Sequence, residues 1–412
     1  MIGGMSATTE LENQWPLLLA SLPDGLDLDA TARQAGLFQR VRAIKNASDL
    51  LRLVFAYAVC GQSLKQTVFW AESQDIASIS AVGLYKQFRQ ASIWMEHLLA
   101  SVLAEETEAP SNVQAVRVVD GTHVNRRGTK KLDQRVHLAL DLASLRINRV
   151  ELTDYKQGES LRRFPVGFGE WVIGDAGYAK RPALWHVVEA EARFIVRHNW
   201  QSVPLLQPGG EPFDLFAALA AMPDNVSGEF AVGIGGHPTE PGRVFAARLV
   251  ALRKSPEATE TARKRLLSEA TRKKRTIDPR SLVAAGYVLL LTTIDKAVLP
   301  ADKVLTAYRF RWQVELAFKR LKSLVHLDDL PLQDQELART VIYARLLVAV
   351  LMDRLMRRIL PFFPSETDDL DPPNVAMARA NAASADDPHR DRWTDRGTRL
   401  AGKAFSQQAA TR

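Results

Sequence analysis

The stretch NVQAVRVVDG, Asn112 to Gly121, marks where the chain changes character. Before it, apolar residues recur at helical spacing in SDLLRLVFAYAVCG (48–61) and LYKQFRQASIWMEHLLASVLAE (84–105). After it, β-rich runs follow in close succession: RVHLALDLA, RINRVELTDY and EWVIGDAGY, then a helical KRPALWHVVEAEA and a fifth run, RFIVRHN. This order predicts three strands forming a meander, a crossover, a strand, a helix and a strand, so the fold class is α/β. With a right-handed crossover the first and fourth strands lie side by side. Each is expected to close on a carboxylate, Asp120 in VRVVDGT and Asp175 in WVIGDAGY. Taken singly, either acid is explained as a turn residue, because Asp and Gly dominate turns. Taken together, two acids at neighbouring strand ends begin a cluster of oxygen ligands of the kind hard divalent cations prefer.

A third acid stands much later, in YRFRWQVELAFKRLKS, Tyr308 to Ser323, where Glu315 is the single carboxylate among Arg and Lys. As one helix at ~100° per residue, Tyr308, Arg311, Glu315, Lys319 and Lys322 share a stripe roughly 80° wide. Phe310, Val314, Ala317, Phe318 and Leu321 form the apolar face, and Arg309, Gln313 and Arg320 a third, solvated one. A plain surface helix laced by i,i+4 pairs, Arg311 with Glu315 and Glu315 with Lys319, accounts for the same spacing. Joined to Asp120 and Asp175, Glu315 completes three carboxylates able to hold two divalent ions for in-line displacement at phosphorus. The neighbouring Tyr308, Arg311, Lys319 and Lys322 then grip the phosphates of the strand being cut.

Composition sets the bounds. A chain of 412 residues with 46% hydrophobic content buries a large core and is expected to divide into two or three units. The formal charge of +7 suits a polyanionic partner. One cysteine, Cys60, in the apolar run LRLVFAYAVC, excludes a disulfide framework and a thiolate zinc site. The acidic start MIGGMSATTELENQW does not read as a signal peptide. No apolar run reaches the ~18 residues of a membrane span, so no membrane partner is expected.

The signature Y-x2-R-x3-E-x6-K over Tyr308, Arg311, Glu315 and Lys322, with DGT at Asp120 and GDAGY at Asp175, resembles the DDE transposases of the IS4 family of bacterial insertion sequences. The likeness extends across roughly residues 45 to 350 and includes RWQVELAFKRLKSLVHLDDL. It implies an RNase H-like catalytic core, a helical N-terminal DNA-binding domain and a mainly β insertion before the last catalytic helix. The expected divisions are 1–106 for the helical region, 113–199 and 301–360 for the two parts of the core, 200–300 for the insertion, and 361–412 for a disordered tail. The resemblance further implies two Mg²⁺ ions, with Mn²⁺ able to substitute, held by Asp120, Asp175 and Glu315. Double-stranded DNA is the implied partner, both as terminal inverted repeats and as target. A homodimer on the DNA and a cytoplasmic, nucleoid-associated location are the remaining expectations. A metal-dependent nuclease on the same core, or a non-catalytic DNA-binding relative, are the other readings.

Within the N-terminal region, Ser63 and Ser80 are candidate caps of two short helices in a helix-turn-helix-like layout. The insertion holds the strand candidates GEFAVGIGG, GRVFAARLVALRK and AAGYVLLLTTID, enough for a small sheet. Residues 251 to 280 carry ten Lys/Arg against four Asp/Glu, much of it in the helix-like ATETARKRLLSEATRKKR, a surface suited to tracking phosphates. Some relatives place a Trp before LLT to manage a flipped base, where this chain has Tyr287 and Val288. TVIYARLLVAVLMDRLMRRIL reads as a helix packed on the core and stopped by PFFP.

Overall fold

The computed structural model describes residues 7–38, 43–105, 114–124, 134–223, 227–328, 330 and 334–359. The tail expected at 361–412 lies outside them.

Six helices come first: α1 (Ala7–Leu19), α2 (Leu28–Gln34), α3 (Ala47–Ala58), α4 (Leu64–Ser73), α5 (Ala81–Gln90) and α6 (Ser92–Glu105). Their starts are written in the sequence. Asn46 accepts from Asp49 N, Ser63 and Gln66 form a reciprocal capping box, and Ser80 accepts from Gly83 N at 3.1 Å. The two serine-capped helices α4 and α5 therefore form where expected. The connection between them, 74–80, is longer than the three or four residues of a helix-turn-helix turn.

The strands follow as β1 (Val116–Val124), β2 (Gln134–Asp141), β3 (Arg146–Asp154), β4 (Trp171–Gly174), β5 (Arg193–Arg197), β6 (Ser227–Ile234), β7 (Phe245–Arg253) and β8 (Tyr287–Thr292). Helix α7 (Arg181–Glu189) joins β4 to β5, α8 (Leu215–Ala220) precedes β6, and α9 (Pro256–Arg272) and α10 (Pro279–Ala284) lie between β7 and β8. All eight strands form one sheet in the order β3-β2-β1-β4-β5-β8-β7-β6. The antiparallel meander β1 to β3 and the parallel neighbours β1, β4 and β5 are the RNase H-like half.

Two expectations are corrected here. Asp120 does not close its strand: β1 runs on to Val124, with Asp120 opposite Leu138 and Gly121 opposite His137. Pairing with β2 keeps the Asp-Gly step extended where an unpaired chain would turn. Nor do the three later strands make a small sheet of their own, because β8 pairs antiparallel with β5, placing Val196 opposite Leu291, and β7 and β6 add outward.

Both faces of the sheet are covered, and strand alternation sorts the side chains between them. Val118, Leu138, Ile173, Ile195 and Leu290 join a core shared with the N-terminal helices and the C-terminal ones. Val119, Val172, Phe194, Val196 and Leu291 face α7 and α8. The C-terminal helices are α11 (Ala301–Arg309), α12 (Trp312–Val325) and α13 (Gln335–Ile359). Arg345 of α13 ties the first core together: its guanidinium donates to Ala58 O, at the end of α3, at 2.8 Å and to His326 O, at the end of α12.

The single helix expected over Tyr308 to Ser323 is two, α11 and α12, joined through Phe310 and Arg311. Both joining residues keep right-handed helical angles, but their amides bond three residues back, Phe310 N to Ala307 O and Arg311 N to Tyr308 O, each 3.1 Å. Three residues per turn winds the backbone tighter there. The apolar face survives the break, with Val314, Phe318, Leu321 and Val325 buried.

Candidate active site

Register and alternation place the two aspartates. Val118 of β1 is paired with Ile173 of β4, and both belong to the core under the C-terminal helices. Asp120 and Asp175 each stand two residues further on, so each returns to that same face. Asp175 follows directly on β4 in a tight turn, its Oδ1 accepting from Gly177 N at 2.7 Å. Asp120 Oδ1 accepts from Gly121 N at 2.8 Å. Ile195 is in turn paired with Ile173, so Arg197, two residues beyond it, continues the row.

The tightened turn before α12 delivers the rest. Arg311 occupies the N-cap position without capping the helix. Its Nη1 donates to Asp120 Oδ2 at 3.2 Å, and its Nη2 forms an ion pair with Glu315, one turn along. Glu315 is thus linked to Asp120 through Arg311, and as an acid in the first turn of α12 it suits the positive helix end. Arg311 also lies over the Tyr308 ring at 6.0 Å. Lys322 is half-buried and acts electrostatically on His123 of β1, while Lys319 is exposed one turn beyond Glu315. The structure therefore links Asp120, Tyr308 and Glu315 through Arg311, sets Asp175 on the face that Asp120 shares, puts Lys322 at the margin, and leaves Lys319 outside these contacts.

Crowding of carboxylates shapes the electrostatics. Burial raises the Asp120 pKa to about 6, with Asp175 and Glu159 adding to the rise while Gly121 N–H and Arg311 oppose it. Burial and Asp175 likewise raise Glu159, against Arg135 and Lys180. Burial lowers His137 to about 3, helped by Arg163, Arg135 and His123, so its ring is neutral. Tyr178 is fully buried and raised well above its ordinary value, first by burial and then by Asp120, Glu159 and Asp175.

The donor set suits a hard divalent cation: carboxylate oxygens on a shared face, crowded enough that their charges resist one another. In the core on the other face of the sheet, the buried Tyr178 hydroxyl has no hydrogen-bond partner. Among the described residues, no three acid, His or Cys side chains converge closely enough to hold an ion as they stand. Arg311 spans two of the acids instead, supplying the positive charge between them.

Sequence reasoning missed Glu159, Arg135, Tyr178 and Arg197. Arg197 was within reach, since the alternation that pairs Ile173 with Ile195 applies to RFIVR as it does to WVIGD. Glu159 sits in a loop with no periodicity, so nothing local marks it. Away from the sheet, the basic segment forms α9 with no buried residue, as the helix-like text predicts. Tyr287, in the place of the Trp of some relatives, donates its hydroxyl to Leu219 O at 3.1 Å. No helix among the described residues is long and apolar enough to cross a membrane.

A family model described as Transposase DDE domain matches residues 111–351. The chain is 38% identical over 356 residues to InsL for insertion sequence element IS186A of Escherichia coli strain K12, covering 85% of this chain and 96% of that relative. It is also 38% identical, over 357 residues and the same shares, to the transposase for insertion sequence element IS421 of Escherichia coli. Among solved structures, the cryo-EM structure of the piggyBac transposase synaptic complex with hairpin DNA is similar with a TM-score of 0.39 and 10% identity, covering 95% of this chain and 89% of that one. With the family match spanning both strand aspartates and Glu315, and identity running through nearly the whole of these relatives, the chain belongs to the IS4-family DDE transposases and is a DNA transposase.

Proposed function

We propose that this transposase cuts the terminal inverted repeats of its insertion sequence and joins the freed ends to target DNA, with Asp120, Asp175 and Glu315 as its metal-binding acids. The observation that carries the assignment is the shared face: Asp120 and Asp175 follow a registered pair, and Arg311 ties Glu315 to Asp120. The family's chemistry uses divalent metal, and we take the ions to be two Mg²⁺, with Mn²⁺ able to substitute, because every proposed ligand is a hard oxygen. Bound there, the ions would activate the attacking oxygen and stabilise the leaving one.

The chain's own groups do the rest. Arg311 and Tyr308 sit against the acids and hold the phosphate to be cut, with Lys319 and Lys322 gripping the strand further along α12. In the first step a water oxygen bonds to phosphorus and the 3′ oxygen leaves with a proton. The released 3′-hydroxyl then attacks a target phosphodiester, forming one P–O bond and breaking another. Residues 1–106 select the element's ends, and α9 follows the backbone from the insertion at 200–300, while 113–199 and 301–360 form the catalytic core. A homodimer brings two ends together, at the nucleoid in the cytoplasm.

A strand-transfer assay with labelled end oligonucleotides and a target plasmid tests this. Joined products with Mg²⁺ or Mn²⁺ support it, cutting without joining identifies a nuclease, and cleavage that persists in chelator removes the metal from the reading.

A further inference from the structure

A fourth carboxylate reaches the same place from the loop that leaves β3. A Cβ built on Gly121, next to Asp120, would lie 3.5 Å from Glu159 Oε1. A Cβ on Gly177, two residues after Asp175, would collide with Glu159 Oε2 and lie 3.1 Å from Asp175 Oδ1. Glu159 thus packs against Gly121 on the side of β1 turned away from the Asp120 side chain and reaches the turn that carries Asp175, and glycine at both positions leaves it room. The loop that carries it is fixed. Arg163 Nε donates to Gly158 O at 3.1 Å, and Arg163 Nη1 pairs with Glu151 at 2.8 Å.

An ion pair with Arg135 is the ordinary explanation for such an acid. At 3.4 Å it is longer than the 2.7–2.9 Å of a strong charge-assisted bond, and it leaves two observations unexplained. One is the Tyr178 hydroxyl, a fully buried donor without a partner in the field of Asp120, Glu159 and Asp175. A donor removed from water and left unmade costs roughly 1–3 kcal/mol. The other is the third carboxylate itself, held against two more where like charges oppose burial.

We propose that Glu159 is a fourth oxygen donor to the divalent cation, acting beside Asp120 and Asp175. It adds a loop-borne acid to the two placed by the sheet, with Glu315 joining from the helix. The inference rests on the metal-dependent reading above.

Mn²⁺ binding to the full chain without DNA, read from the free-ion electron paramagnetic resonance signal, tests it together with thermal unfolding in chelator and in Mn²⁺. Glu159→Gln should weaken Mn²⁺ by about tenfold or more, unfold no earlier than the parent in chelator, and lose most of the stabilisation Mn²⁺ gives the parent. Gly177→Ala pushes the carboxylate aside without removing it and should weaken Mn²⁺ as well, an independent check should the first variant fold poorly. Parent-like Mn²⁺ affinity in Glu159→Gln, with Asp175→Asn defective, overturns the assignment. So does a Glu159→Gln chain that is less stable in chelator yet binds Mn²⁺ normally, which marks Glu159 as a partner of Arg135 alone. If Asp120→Asn and Asp175→Asn also bind like the parent, the metal reading falls with it.

Discussion

Asp120 and Asp175 are set side by side by a single registered pair, Val118 with Ile173, each acid standing two residues beyond its partner of that pair. The sheet holds them whether or not an ion is present, so their mutual repulsion is part of the fold's stability. Asp120 has a folded pKa of about 6 against an ordinary 3.8. A raised acid binds protons more readily folded than unfolded, so its stabilisation is greatest below about pH 4 and is lost as pH rises through 6. Asp120→Asn should therefore stabilise the metal-free protein at pH 7.5 by on the order of 2 kcal/mol. The gain should shrink below pH 6 and vanish near pH 4. Urea unfolding in chelator across that range checks it, and a pH-independent difference would contradict the burial of this charge.

Glu315→Gln keeps the shape of the side chain and removes a charge on which the ions depend. Cleavage of element ends should fall by several orders of magnitude, as two-metal chemistry supplies much of the rate. DNA binding should survive. If Glu315 only paired with Arg311 on a surface helix, the loss would be about 0.5 kcal/mol of helix stability, with cleavage near the parent rate.

Arg311→Ala should move two equilibria in opposite directions. Losing a phosphate contact lowers the salt slope of DNA binding by about one. Without DNA, however, Arg311 spends its charge on Asp120 and Glu315, so its removal should tighten Mn²⁺ binding by roughly tenfold, the scale of one hydrogen bond to a charged group. Titrating Mn²⁺ into the DNA-free variant decides the matter, and weaker binding would mean that Arg311 helps assemble the site.

Arg345→Met should destabilise the protein by about 2–4 kcal/mol, because the carbonyls of Ala58 and His326 lose their shared donor inside the core. Denaturant midpoints measure it. The same bridge bears on truncation. The N-terminal helices and α11 to α13 share one core, so a fragment beginning near residue 107 would expose that surface, and end selection is better tested by substitutions on the exposed side of α5.

Much of this is legible in the amino-acid sequence. Alternating runs gave the strands, Ser63 and Ser80 gave two helix starts, and the meander followed by a crossover put Asp120 beside Asp175. What local patterns could not show were choices made by distant partners. Only pairing with β2 keeps Asp120–Gly121 extended, and only an open edge on β5 draws β8 into the main sheet. The tightened turn at Phe310 and Arg311 leaves the apolar spacing of α12 unchanged, so a helical wheel passes over it. Glu159 depends on how a loop crosses two glycines some way along the chain in either direction, a relation that neither propensity nor periodicity records.

The merging of the later strands into the main sheet makes the molecule a ruler. β4, which leads into Asp175, and β7, which leads toward α9, are separated by β5 and β8, three strand spacings or about 14 Å. Hydrogen-bonded ladders fix that interval, where a tether would let it vary. Lengthening the loops around α9 would shift the basic helix without changing the gauge set by the strands, whereas weakening the β5–β8 pairing, Val196 to Leu291, would change the gauge itself.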